Sequence, residues 1–117
     1  MSQELEERFL KFAKDVRDFC RLVKWDIINA QYVKQVIRSS GSIGANYIEA
    51  SDHLGKLDEK MRLKISRREA KETVYWLQLV LLYEEISLEN KRIYLIDEGT
   101  QIKKILSSIL GKLGASS

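Results

Sequence analysis

Few side chains in this sequence have the types and spacing that catalysis or metal binding requires. His53 follows Glu49 by four positions, which would place the two side chains on one face of a helix as a metal-binding pair. A di-iron bundle needs two Glu-x-x-His motifs, and this sequence has none. One histidine and one cysteine also exclude multi-histidine and cysteine-ligated centres. We therefore expect no metal and no cofactor, with His53 a solvated residue at a helix end.

The remaining candidates for catalysis have structural explanations. Cys20 lies in an apolar stripe without a histidine near it in the sequence, so it is predicted to be a small core residue rather than a nucleophile. Glu69 and Glu72 lie one helical turn apart among basic residues, where carboxylates usually form ion pairs. Because the sequence contains neither a nucleophile with its base nor a cofactor fingerprint, we expect no enzymatic activity and no small-molecule substrate.

The composition is that of a single globular domain spanning residues 1–117. Hydrophobic residues make up 44% and charged residues 32% of the chain, which excludes a disordered tail and a membrane protein. The longest apolar run, Val74–Tyr83, is about half the length needed to cross a bilayer, and the N-terminus lacks the apolar core of a signal peptide. These features predict a cytoplasmic protein, and the single cysteine fits a reducing compartment.

Four stretches have apolar residues that recur at three and four positions, which is the spacing of amphipathic helices. They run near residues 3–24, 28–52, 58–86 and 93–113, and Asp58 is the predicted N-cap of the third. The chain has no proline to interrupt them. Because the predicted connections are short, neighbouring helices should run antiparallel, and the sequence predicts an all-α, up-down four-helix bundle.

The run of small residues Ser39–Ala45 allows three interpretations. Serine and glycine are unfavourable inside helices, so the run could be a loop that divides the second segment. It could also be a phosphate-binding loop, although no lysine follows it and no strand precedes it. We favour a continuous helix whose small side chains let the third helix approach closely, because the apolar period stays in phase from Ile37 through Gly44 to Ile48.

Residues 74–83 are predicted to be helical and apolar on every side, with Gln78 as the single polar residue. A helix of a four-helix monomer buries one stripe and exposes the rest. The extra apolar surface therefore predicts self-association, although isolated exposed apolar residues would be normal for a monomer. The predicted interface residues are Tyr75, Trp76, Leu79 and Leu82.

Positive charge is concentrated in two segments of the chain. Residues 11–24 and 56–72 each carry an excess of three positive charges, within a chain whose net charge is +3. Such asymmetry is typical of nucleic-acid-binding proteins, although the interleaved acidic residues are also consistent with a solvated helix face. If RNA binds, the predicted contacts are Lys11, Lys14, Arg17, Lys60, Arg62, Lys64 and Arg67.

The second and third helices can be aligned because their connection centres near Gly55. In an antiparallel pair, facing positions then have numbers that sum to about 110, which places Arg38 opposite Glu72. We predict a partly buried bidentate pair between these two side chains, which would fix the register of the helices without any catalytic role.

Two segments, Arg38–Ala50 and Arg68–Leu77, resemble the signature segments of a bacterial family first described from reading frames inside intervening sequences of large-subunit ribosomal RNA. The resemblance extends from about Phe9 to Leu113, although Trp25-Asp26-Ile27-Ile28 stands where the family often has a proline between its first two helices. Members are similar to the accessory protein of diversity-generating retroelements, a homopentamer that binds reverse transcriptase and nucleic acid. The resemblance implies a four-helix bundle, a pentameric ring and no enzymatic activity, without an established molecular function.

The residues and the resemblance together favour a non-catalytic, homo-oligomeric binding or scaffolding module that acts on structured RNA. The alternative is a purely structural oligomer, or a protein-interaction module, without a nucleic-acid role. A salt titration of RNA binding separates the two, because phosphate contacts weaken steeply as salt rises.

Overall fold

Four long helices make up the fold of this chain. The computed structural model describes residues 2–114, with α1 at Gln3–Leu22, α2 at Ile27–Ser51, α3 at Lys56–Leu79 and α4 at Ile86–Lys112. Each helix packs against the next, and α4 also packs against α1. The helices α1 and α3 therefore lie at diagonally opposite corners of the bundle. The bundle measures about 46 by 24 by 22 Å. The predicted all-α, up-down four-helix bundle is confirmed.

The core runs the length of the bundle because each helix contributes one apolar stripe. The α1 stripe is aromatic, and the edge-on contact of Phe9 with Tyr47 of α2 has ring centroids 5.0 Å apart. The Tyr47 hydroxyl accepts a hydrogen bond from the Ser2 backbone N–H at 2.9 Å, which satisfies the one polar atom of this side chain. The largest fully buried residues also include Phe12, Ile43, Leu63, Leu77, Ile102, Leu106 and Leu110.

The first two helices follow the predicted boundaries. Ser2 and Asp26 cap their N-termini by accepting hydrogen bonds from backbone N–H groups one turn on. The small run Ser39–Ala45 lies inside α2, so the predicted continuous helix is confirmed. The predicted close approach to the third helix is made by a serine of the run, since Ser39 is buried and its Oγ lies 2.7 Å from Thr73 Oγ1 of α3. The glycines lie elsewhere: a Cβ at Gly44 would lie 3.5 Å from Phe9 of α1, and one at Gly41 would meet no neighbour.

The predicted N-cap of the third helix and the predicted boundary between the third and fourth helices are wrong, whereas the fourth helix ends at Lys112, close to the predicted residue 113. The third helix begins at Lys56, and Asp58 is inside it rather than its N-cap, with a carboxylate that accepts from the Leu54 backbone N–H at 3.0 Å. The third helix ends at Leu79 and the fourth begins at Ile86, earlier than predicted in both cases. The apolar pattern continues past Leu79 because the loop itself is partly buried, so periodicity alone could not locate the break.

The loop between α3 and α4 is held by side chains from two other elements. Asn29 of α2 donates to the Leu81 backbone carbonyl at 2.9 Å and accepts from its N–H at 2.8 Å. Arg92 of α4 donates to the carbonyls of Leu77 and Val80, which have lost their helical partners. Tyr83 has a positive φ of 52° and donates its hydroxyl hydrogen to Asp26, which pins this loop to the α1–α2 connection. That hydrogen bond lowers the pKa of Asp26.

None of the helices within residues 2–114 combines the length and the apolar character that crossing a lipid bilayer would require.

Candidate nucleic-acid interface

A basic groove runs along the outer surface between α3 and α4. Its volume is about 610 Å³, and Met61, Ile65 and Ser107 supply its uncharged lining. No carboxylate is among the described residues that line it, and none of its basic side chains forms an ion pair within residues 2–114. The basic residues of the groove are Lys64, Arg67, Arg68, Lys71 and Lys103.

Helical spacing explains why these cations collect on one surface. Lys64, Arg68 and Lys71 step by four and three, so they share the outward face of α3. Ser66, Ala70 and Thr73 take the buried face instead. Lys103 comes from α4, which runs beside α3 along this groove. Cations gathered without counter-charges produce a positive potential that attracts anions, and the groove is therefore suited to phosphate groups.

The structure does not bring the predicted basic residues of α1 to this groove. Lys14 is exposed, and α1 lies diagonally across the bundle from α3. Two of the three predicted α1 contacts are already engaged, because Lys11 Nζ lies 2.6 Å from an Asp15 carboxylate oxygen and Arg17 Nε lies 3.1 Å from one of Asp18. The α1 cations therefore form a separate, partly neutralised surface.

The predicted basic residues of α3 divide between its two sides. Lys64 and Arg67 line the groove, and Arg67 donates to the Ser107 hydroxyl at 3.3 Å. Lys60 lies one turn before Lys64 on the same helix. Arg62 is engaged within the chain: its Nε lies 3.7 Å from Asp58, one turn earlier on α3, and its Nη1 lies 3.5 Å from the side-chain oxygen of Asn46 on α2.

Three basic residues of the groove, Arg68, Lys71 and Lys103, are absent from the predicted set. Arg68 and Lys71 could have been predicted from the sequence, because their spacing from Lys64 places all three on one helical face. Lys103 gave no comparable signal, since it joins the groove only when α4 packs against α3. A contact that depends on two helices far apart in sequence needs the tertiary arrangement.

The predicted self-association residues occupy different environments. Leu82 is only 5% exposed within its own chain, which contradicts its assignment to an interface. The reason is that the chain leaves the helix at Leu79 and folds residues 80–82 back over the core. Leu79 and Trp76 are half-buried, and Trp76 packs against the core and against Tyr32 at a ring distance of 6.3 Å. Tyr75 alone of the four is largely exposed.

Arg38 bridges two carboxylates of α3 rather than forming a bidentate pair with one. Its Nη1 donates to Glu69 at 2.8 Å and its Nη2 donates to Glu72 at 3.3 Å. The Glu69 side chain is 7% exposed, whereas that of Arg38 is 49% exposed. Arg38 thus faces Glu72 as the helix register predicts, but the predicted bidentate geometry is wrong because Glu69, one turn earlier, shares the guanidinium.

Cys20 and His53, the other two residues considered for chemistry, lie in different environments. Burial raises the pKa of the Cys20 thiol to about 12, so it is not a thiolate at neutral pH. His53 is exposed, and its nearest carboxylate is that of Glu59 at 3.9 Å. Within residues 2–114, no group of three or more histidine, cysteine, aspartate or glutamate side chains could hold a metal ion.

The fold and the groove define an all-α four-helix bundle with a cationic groove whose basic side chains form no ion pair within residues 2–114. A family model described as 23S rRNA-intervening sequence protein matches residues 4–108, and the chain belongs to this family. It is similar to a crystal structure of a protein with unknown function from the S23 ribosomal protein family of Bacteroides thetaiotaomicron. The two share 32% sequence identity with a TM-score of 0.74, over 90% of this chain and 96% of that one. A comparison with curated proteins finds no match.

Proposed function

We propose that this protein is a non-catalytic binding module that holds the phosphate backbone of structured RNA in the α3–α4 groove. The observation that carries the proposal is the set of five groove cations without a carboxylate partner among the described residues. A protein cation that neutralises a phosphate releases condensed counterions, which favours binding at low salt. The description of the family, which refers to 23S rRNA, agrees with an RNA ligand.

A salt titration with a labelled RNA hairpin tests this proposal. Changing Lys64, Lys71 and Lys103 to glutamine together should weaken binding and flatten the salt dependence by about one unit for each phosphate group that the variant no longer binds. The matched control changes Lys11, Lys14 and Arg17 of α1 to glutamine, which removes the same charge from the helix that lies diagonally across the bundle from α3. An equal loss in both variants would show that net charge acts rather than the groove. Absence of binding by the wild type at low salt would overturn the proposal.

We also propose that the protein acts as a homo-oligomer, and the resemblance of its sequence to pentameric proteins supports a five-subunit ring. Several copies of one groove around a ring would bind a long RNA more tightly than one copy, because the later contacts become intramolecular. Light scattering at micromolar concentration measures the mass directly. A monomer would contradict self-association, whereas a dimer or tetramer would contradict only the ring of five.

A second candidate function, a protein-interaction module without an RNA role, is favoured by the exposed apolar residues at one end of the bundle. Trp25 and Ile27 are 79% and 75% exposed, and they flank Asp26, which accepts the hydrogen bond from Tyr83. Ile86 is 76% exposed and follows Tyr83 by three residues. Soluble monomers rarely expose contiguous large apolar patches. Ile86→Glu should lower the assembly mass or abolish partner binding, whereas Leu54→Glu at the opposite end is the control. If neither the mass nor RNA-independent binding changes, this candidate is wrong.

A further inference from the structure

An exposed aromatic ring continues the row of cations on α3. Tyr75 follows Lys71 by four positions and therefore lies on the same outward face as Lys64 and Arg68. The row from Lys64 to Tyr75 extends about 16 Å along the helix, at 1.5 Å per residue. Tyr75 is 58% exposed, so most of its ring is open to a ligand. A basic row that ends in an open aromatic ring combines the two elements of single-strand binding surfaces.

The ring of Tyr75 rests against a supported neighbour. It meets Trp76 edge-on, with centroids 5.4 Å apart and an interplanar angle of 73°. Trp76 is half-buried and packs in turn on Tyr32 of α2. This support limits the positions that the Tyr75 ring can adopt, and a pre-positioned ring loses less conformational freedom when a ligand stacks on it.

We propose that Tyr75 is a stacking platform for an unpaired RNA base, with the adjoining backbone held by Lys71, Arg68 and Lys64. This inference rests on the proposed function and specifies its substrate class as RNA with unpaired nucleotides. The bases of a continuous duplex are stacked on one another, so they offer no free face to a protein ring, whereas loops and single strands do. The groove cations bind the phosphates of duplex and of single-stranded RNA alike, and Tyr75 makes the protein prefer RNA with unpaired bases.

The experiment compares a single-stranded RNA with a blunt-ended duplex of the same sequence, using wild type, Tyr75→Ala and Tyr75→Phe. Tyr75→Ala should weaken binding of the single strand about tenfold and leave the duplex affinity unchanged. Tyr75→Phe should keep the single-strand affinity, because the ring and not the hydroxyl stacks. The matched control is Tyr94→Ala, which removes a ring of similar exposure from the mixed-charge groove between α1 and α4.

A fluorescent adenine analogue in the single strand reports stacking directly. Its emission should be quenched by wild type and by Tyr75→Phe, but not by Tyr75→Ala. Equal losses for both RNAs, no loss with Tyr75→Ala, or a drop in assembly mass for that variant would overturn the stacking role. A drop in assembly mass would indicate that Tyr75 lies in a subunit interface. Absence of any RNA binding by the wild type would instead overturn the proposed function itself.

Discussion

Both flanks of α3 carry polar side chains, but only the flank that meets α2 pairs them extensively within the chain. On the flank that meets α2, Arg38 bridges Glu69 and Glu72, and Ser66 donates to the Ile43 backbone carbonyl at 2.7 Å. On the flank that meets α4, the groove cations have no carboxylate partners among the described residues. The α2 flank satisfies its polar groups inside the chain, whereas the cations of the α4 flank have no carboxylate partner within residues 2–114.

This difference separates residues that hold the bundle together from residues that are free to bind. A buried polar group is costly unless it is paired, so the α2 flank must be matched in the folded state. A surface cation costs little without a partner, because water solvates it. Substitutions on the α2 flank should therefore change stability, whereas substitutions in the groove should change ligand binding and leave the fold nearly unaffected.

The largest difference between the flanks should appear when one arginine is removed from each. Arg38→Ala should lower the free energy of unfolding by about 2 kcal/mol, because it leaves the buried Glu69 carboxylate without its cation while water reaches the half-exposed site. Arg68→Ala should change it by less than about 0.5 kcal/mol. Urea unfolding measures both. If losses in the Arg38→Ala, Glu69→Ala double-mutant cycle are additive, the two side chains are not coupled.

Gly99 of α4 tests how closely this helix packs against α3 and α1 in the core of the bundle. A Cβ at this position would lie 2.9 Å from Val74 Cγ2 and 3.3 Å from Phe12 Cζ. Gly99→Ala should therefore cost about 1–3 kcal/mol through overpacking, even though it improves helix propensity. Gly41→Ala is the control, since it meets no neighbour and should stabilise by up to about 1 kcal/mol. Thermal unfolding gives both values, and a gain for Gly99→Ala would show that α3 and α4 can separate slightly.

The buried hydroxyl contact of the α2 flank should have a smaller effect. Thr73 Oγ1 lies 2.7 Å from Ser39 Oγ, and both residues are fully buried. Thr73→Val should cost about 1 kcal/mol, because the Ser39 hydroxyl loses this partner. Adding Ser39→Ala should restore part of the loss, since two apolar groups then replace two polar ones. A double variant less stable than either single variant, measured in guanidinium, would mean that cavity formation outweighs the hydrogen bond.

The smallest expected effect lies in the groove and has the opposite sign. Lys71→Glu places a carboxylate three and four residues after Arg68 and Arg67, where it relieves repulsion among the groove cations. We expect a gain of roughly 0.2–0.5 kcal/mol at low salt that disappears at high salt. The same variant should bind RNA less well than wild type. A loss of stability at low salt would indicate that the groove cations are neutralised by contacts other than ligand.

The sequence predicted some contacts of the candidate site and missed others. The antiparallel register of α2 and α3 correctly predicted Arg38 opposite Glu72, but it did not reveal the more buried Glu69. Residues three or four positions apart lie on adjacent turns of one helix face, and only the packed side chains show which of them an arginine reaches. Charge counting likewise found the basic start of α3, yet it could not separate Lys64, which is unpaired among residues 2–114, from Lys11, which Asp15 engages.

The sequence by itself determined the all-α class, the number of helices, the continuity of α2 and the apolar stripes, because these follow from local spacing and propensity. Tertiary structure decided where α3 ends, since Asn29 and Arg92 capture the backbone of the loop from elsewhere in the chain. It also buried Leu82 and brought Lys103 beside Lys71. Contacts between distant segments depend on how whole helices pack, and no periodicity within one segment encodes them.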